Sequence, residues 1–127
     1  VQKAESVQGQ KLVIVNWLPE PLANVSRDHW TKREKKLKAA QIMVWASAKH
    51  ANLTPVSGRA RLTITLVFPQ NRRRDTDNLY ARVKGVVDGL VKGGWIVDDD
   101  TEHLDLRVQA EVRPGQKATE ITLEPAA

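Results

Sequence analysis

No cysteine occurs among the 127 residues, which excludes disulfides, thiolate metal sites and cysteine nucleophiles. The three histidines, His29, His50 and His103, fall at no metal-ligand spacing such as HxxxH. Ser26, Ser47 and Ser57 stand outside any nucleophile-elbow context. A glycine-rich phosphate loop is absent too, since the pair Gly93-Gly94 reads as a helix stop. No apolar run approaches the roughly 20 residues of a membrane helix, and no leader-peptide pattern is visible. An intracellular, cytoplasmic setting without membrane association is the expectation. The four tryptophans, Trp17, Trp30, Trp45 and Trp95, do not cluster, and they suit core or interface positions better than a base-stacking platform.

What is present is the composition of a folded basic domain. Hydrophobic residues make up 41% and charged residues 28%, a balance that sustains a core and argues against disorder. One domain over 1–127 is expected, with 1–10 and 124–127 flexible. Lysine and arginine outnumber the acids by 20 to 15, a net +5 with a pI of 9.7. The sign suits a polyanionic partner, and equally a solvated basic surface.

Hydrophobic periodicity gives an element order. Lys11 to Trp17 is short, β-branched and apolar, as a strand requires. Proline ends it, and Asp28 can cap a helix reaching Lys49, with Trp30, Leu37, Val44 and Ala48 as its apolar stripe. Arg33, Lys35, Lys36 and Lys38 leave the rest of that helix basic, either as a solvated face or as a surface for DNA. Ala60 to Phe68 alternates cleanly: Ala60, Leu62, Ile64, Leu66 and Phe68 on one face, Arg61, Thr63 and Thr65 on the other. A second helix is predicted from Asp75 to Lys92, burying Leu79, Val83, Val86, Val87 and Leu90. Strands Leu104 to Val112 and Ala118 to Leu123 follow, joined by a Pro114-Gly115 turn. The order β-α-β-α-β-β implies an α+β fold, a small mixed β-sheet with two packed helices.

The chemistry concentrates in Arg72 to Asp100, RRRDTDNLYARVKGVVDGLVKGGWIVDDD. Asp75 and Asp77 follow three arginines at a helix start, where free N–H groups and the helix dipole already favour acids. Each alone is equally well explained as a cap. Asn78 adds another oxygen-bearing side chain, and Asp98, Asp99 and Asp100 lie past the helix end. An uninterrupted helix of this length would hold those ends about 24 Å apart. They meet only if Trp95, Ile96 and Val97 run back beside the helix and its start is bent or looped. Converging carboxylates are hard oxygen donors, suited to Mg²⁺ or Mn²⁺, which also bind substrate phosphate. Such an ion activates water and steadies a leaving oxygen, and Lys84 or an arginine offsets charge on the phosphoryl group.

These residues resemble the RusA family of Holliday junction resolvases. The resemblance rests on RRRDTDNL (Arg72 to Leu79), KGVVDGL (Lys84 to Leu90) and GWIVDD (Gly94 to Asp99), and more loosely on a loop with Pro19, Pro21 and Asn24. It implies homodimers that bind four-way DNA junctions and cut two strands symmetrically with Mg²⁺ or Mn²⁺. It also implies Asp75, Asp77 and Asp99 as metal-binding aspartates, Asp98 as their acidic neighbour, and Lys84 as the catalytic lysine. The sequence departs from the family pattern in one respect. The lysine usually follows the second aspartate by four residues, where Ala81 stands here, and Lys84 comes three residues later. The two positions differ by about 60° around a helix, and Lys84 would lie about 4.5 Å further along.

The leading expectation is therefore a metal-dependent, structure-specific endodeoxyribonuclease resolving Holliday junctions by paired nicks. Arg72, Arg73, Arg74, Asn78 and Lys84 would contact DNA, chiefly through backbone phosphates. Two cuts in a pseudo-symmetric junction call for a homodimer, with Trp45 or Trp95 at its interface. Two alternatives remain at this level: a non-catalytic module binding branched DNA, and a flap or fork nuclease with the same metal site.

Overall fold

The computed structural model describes residues 9–22, 30–72, 74 and 76–126, the side chains of Trp30, Thr76 and Asp77 excepted. Among the described residues the order is β1 (Gln10–Val15), α1 (Trp30–His50), β2 (Ala60–Phe68), α2 (Thr76–Arg82), α3 (Lys84–Lys92), β3 (Leu104–Val112) and β4 (Ala118–Pro125). The fold is α+β, with a four-stranded mixed sheet in the order β1-β4-β2-β3 and three helices. The Asp28 cap expected for α1 lies outside the described residues.

β2 is the centre of the sheet, parallel to β3 and antiparallel to β4. Its register places Leu62 beside Leu123 and Leu106, and Ile64 beside Ile121 and Val108. That face meets the helices in one core, which Val44 and Ala48 of α1 enter along with Val83, Val86 and Leu90. The opposite face carries Arg61, Thr65 and Val67, and the last two are buried as well. Their cover is electrostatic: Arg113 pairs with Glu111 beside Val67 and with Glu120 beside Thr65, so its guanidinium bridges β3 and β4 across β2.

Three features of the structure add to or change the sequence reading. The Pro114-Gly115 turn forms, with the Gln116 N–H bonded to the Arg113 carbonyl at 3.0 Å. Yet β3 and β4 do not pair with each other, because the connection passes over the end of β2, where the Arg113 N–H meets the Phe68 carbonyl at 3.0 Å. β4 also continues past Leu123: Glu124 pairs with Arg61 and Pro125 with Ala60. The Ala126 N–H then bonds to the Arg59 carbonyl at 2.8 Å.

The third change concerns the second helix, which divides at Val83 into α2 and α3. Neither proline nor glycine stands there to break it. The division follows from two different packing partners, since α2 lies against β3 while α3 lies against α1. The α1–α3 approach is close enough that a Cβ on Gly85 would come within 2.7 Å of the Ala40 Cβ and 2.9 Å of the Leu37 carbonyl oxygen.

Candidate active site

Gly93-Gly94 ends α3 as expected and aims the chain back. Gly94 takes a positive φ of 84°. Its N–H bonds to the Val91 carbonyl and that of Trp95 to the Leu90 carbonyl, both at 3.0 Å, which is a Schellman closure. Trp95 then enters the core, donating its indole N–H to the Leu53 carbonyl at 2.8 Å, and Ile96 follows it inward. Trp95 is therefore a core residue, whereas Trp45 is exposed. Two buried anchors deliver the acidic triplet back toward the α2–α3 junction.

The three acids have different fates. Asp98 turns one carboxylate oxygen onto the Asp99 N–H at 2.7 Å. Asp100 caps the turn before β3, accepting from the N–H groups of Glu102 and His103 at 3.0 Å, with the His103 ring nitrogen at 2.8 Å. The His103 hydrogen bond holds the Asp100 carboxyl below its ordinary range, against the opposing effect of desolvation. Asp99 alone of the three lines a cavity of about 640 Å³. Among the described residues its carboxylate has neither a hydrogen-bond nor an ion-pair partner.

The same cavity is lined by Lys84, the first residue of α3. Lys84 is half exposed, and its Nζ lies 3.7 Å from Asp88 one turn along. Lys84 and Asp99, which flank α3 in sequence, thus meet at one site. The break at Val83 places Lys84 at a helix start, three residues beyond Ala81. Ala81 lines this cavity as well.

The arginines before α2 are arranged differently from one another. Arg72 is exposed and donates to the Gln70 side chain at 2.9 Å. Arg74 folds back to donate to the Arg72 and Gln70 carbonyls, with its guanidinium 3.6 Å from the Phe68 ring centroid. Burial and the neighbouring charge of Arg72 lower its pKa from the ordinary arginine value. Arg82 lies 5.2 Å from the same ring and donates to the Pro19 carbonyl at 2.6 Å, which ties α2 to the proline segment. Arg74 thus shapes the loop, while Arg72 is free to meet solvent. Asn78 is exposed on α2. Arg73, Asp75 and the side chain of Asp77 lie outside the described residues.

Residues at the cavity that were not singled out from sequence include Arg59, Tyr80, Asp88 and Asp105. Nothing local marks Arg59 or Asp105, because only the β2–β3 pairing brings them to α2 and α3. Asp88 did carry a signal, its i,i+4 spacing from Lys84. Asp105 is held by Arg61 at 3.1 Å and Arg107 at 3.2 Å, and Asp88 by Lys84, whereas Asp99 has no such partner among the described residues. Among the described residues no three acids or histidines converge on one point. The donor chemistry at Asp99, a carboxylate oxygen in a chain without cysteine, fits a hard divalent cation.

Comparison with known proteins gives the family. An uncharacterized protein of Xylella fastidiosa strain Temecula1 is 32% identical over 96 residues, covering 72% of this chain. The alignment spans 63% of that relative's own length. The family model of endodeoxyribonuclease RusA matches residues 19–124, from the proline segment before α1 to β4. With both acidic segments, Lys84 and the whole βαβ unit inside that match, the chain belongs to the RusA endodeoxyribonuclease family.

Proposed function

We propose that this chain is a metal-dependent, structure-specific endodeoxyribonuclease that resolves four-way DNA junctions as a homodimer by paired symmetric nicks. The observation that carries the reading is the meeting of Asp99 and Lys84 at one cavity, from opposite ends of α3. Asp75, Asp77 and Asp99 would hold Mg²⁺ or Mn²⁺, with Asp98 beside them. Such an ion, when bound, supplies Lewis-acid stabilisation of phosphoryl oxygens and lowers the pKa of water.

The chain's own residues do the rest. Asp99 brings a carboxylate that has no hydrogen-bond or ion-pair partner among the described residues. Lys84 presents an ammonium at the start of α3, where charge developing on a phosphoryl oxygen gains most from a fixed donor. Asp88 holds that ammonium from one turn along. Arg72 and Asn78, and Arg73 by its place in the sequence, would contact the DNA backbone and supply affinity and orientation rather than sequence readout.

The test is cleavage of an end-labelled four-way junction in Mg²⁺, in EDTA, and by Asp77→Asn. Paired symmetric nicks that disappear in EDTA and in the variant, with junction binding retained, are the expected result. Binding without cleavage in either Mg²⁺ or Mn²⁺ would leave a DNA-binding module in its place.

A further inference from the structure

The cavity has more wall than a phosphate and a cation require. Beside its acids and Lys84, Val87, Leu104 and Leu106 give it an apolar stretch of lining, flanked by Tyr80 and Arg59. Its volume of about 640 Å³ lies within the roughly 300–1,000 Å³ typical of sites that enclose a small organic ligand. Tyr80 is 40% exposed, and its hydroxyl donates to the Leu106 carbonyl at 3.4 Å, which fixes the ring beside β3. Arg59 donates to the Thr101 carbonyl at 3.3 Å, at the other end of the same stretch. The Ala60 N–H bonds to the His103 carbonyl, so Arg59 and Tyr80 stand at levels three residues apart along β3, about 10 Å at the strand rise. Arg61, Arg107 and Arg113 are all paired with carboxylates, while Arg59 has none among the described residues.

A phosphate is recognised by cations and N–H groups and gains nothing from valine and leucine. A nucleobase has an apolar face that stacks on an aromatic ring whatever its sequence identity. We infer that this cavity seats one deoxynucleotide of the cleaved strand, out of its base stack, with the base against Tyr80 and a neighbouring backbone phosphate on Arg59. This inference rests on the nuclease reading and deepens it. Unstacking costs least where stacking is already interrupted. A pocket of this kind therefore favours a branch point over continuous duplex without reading any base edge.

The test is steady-state cleavage of a labelled four-way junction by the wild type, Tyr80→Phe, Tyr80→Leu and Arg59→Gln. Each is run on the normal junction and on one with an abasic residue beside the mapped cut. Tyr80→Phe keeps the ring and should keep KM within about twofold. Tyr80→Leu and Arg59→Gln should each raise KM about tenfold with kcat little changed, the scale of one lost stacking or phosphate contact. The abasic junction should cost the wild type a similar rise and leave Tyr80→Leu no worse than on the normal junction. A purely structural role for Tyr80 would not produce that coupling.

Equal penalties for Tyr80→Leu on both junctions overturn the inference while leaving the nuclease standing. Should Tyr80→Leu fail to fold, an unchanged wild-type KM on the abasic junction, or an unchanged KM for Arg59→Gln, overturns it as well. A wild type that cuts no junction removes the nuclease reading and this one together.

Discussion

Three consecutive aspartates do three different things here, and the backbone path is what separates them. Asp98 is spent on its neighbour's N–H, Asp100 on the turn before β3, and Asp99 faces the cavity. Asp99→Asn is therefore expected to lower junction-cleavage kcat by about 10²–10³-fold, the scale of removing one fixed charge-stabilising group. Asp98→Asn should stay within a few-fold. Single-turnover rates with matched circular dichroism spectra would check both, and equal losses would contradict the separation. The DD pair that carries the family resemblance was legible in the sequence. Which oxygen points where was not, because it depends on Trp95 and Ile96 being drawn into the core, and the sequence equally offered Trp95 as an interface residue.

Among the elements, α3 shows how local pattern and tertiary packing divide the work. Its apolar positions, Val86, Val87 and Leu90, with Val83 just before it, were evident from spacing, and all are buried. Its separation from α2 was not evident, because Val83 carries no helix-breaking chemistry and the bend serves two packing partners. Gly85 is the residue that lets α1 approach α3. Gly85→Ala should destabilise the protein by about 1–3 kcal/mol, the usual range for overpacking, since the new methyl meets backbone as well as Ala40. The intrinsic gain in helix propensity, at most about 1 kcal/mol, opposes this and is the smaller effect. Urea titration would decide, and a variant as stable as the wild type would show that α1 slides away freely.

For the molecule as a whole, charge sets its acid limit and, on the proposed function, its approach to DNA. Arg61 bonds to Asp105 and holds its carboxyl below the ordinary range, with desolvation opposing and Arg107 assisting. Arg113 does the same for Glu120. A carboxyl depressed in the folded state contributes stability that is present above its unfolded pKa and lost as pH falls through the folded value. Stability should thus decline below about pH 4. Arg61→Met should be less stable at neutral pH and show a shallower decline in that window. Urea midpoints from pH 6 to pH 2 would test this, and parallel curves would refute it. On the DNA side, the net +5 surface predicts junction affinity that falls steeply with salt. Arg72→Ala should reduce the log–log slope by about 1, as one phosphate contact is lost. An unchanged slope in gel-shift titrations from 50 to 200 mM salt would remove Arg72 from the interface.

The sequence by itself determined the α+β class, the strand and helix faces, the Gly-Gly stop and the acid- and arginine-rich segment that places the chain in its family. These are local properties: side-chain periodicity, a backbone position needing positive φ, and residue types at fixed spacing. The tertiary structure decided the sheet order, with β2 inserted between β3 and β4. It also decided the bend at Val83, the choice of Asp99 among three acids, and the arrival of Arg59, Tyr80 and Asp105 at the same cavity. Those depend on which surfaces bury each other across the chain, a pairwise and long-range matter that one-dimensional periodicity does not encode.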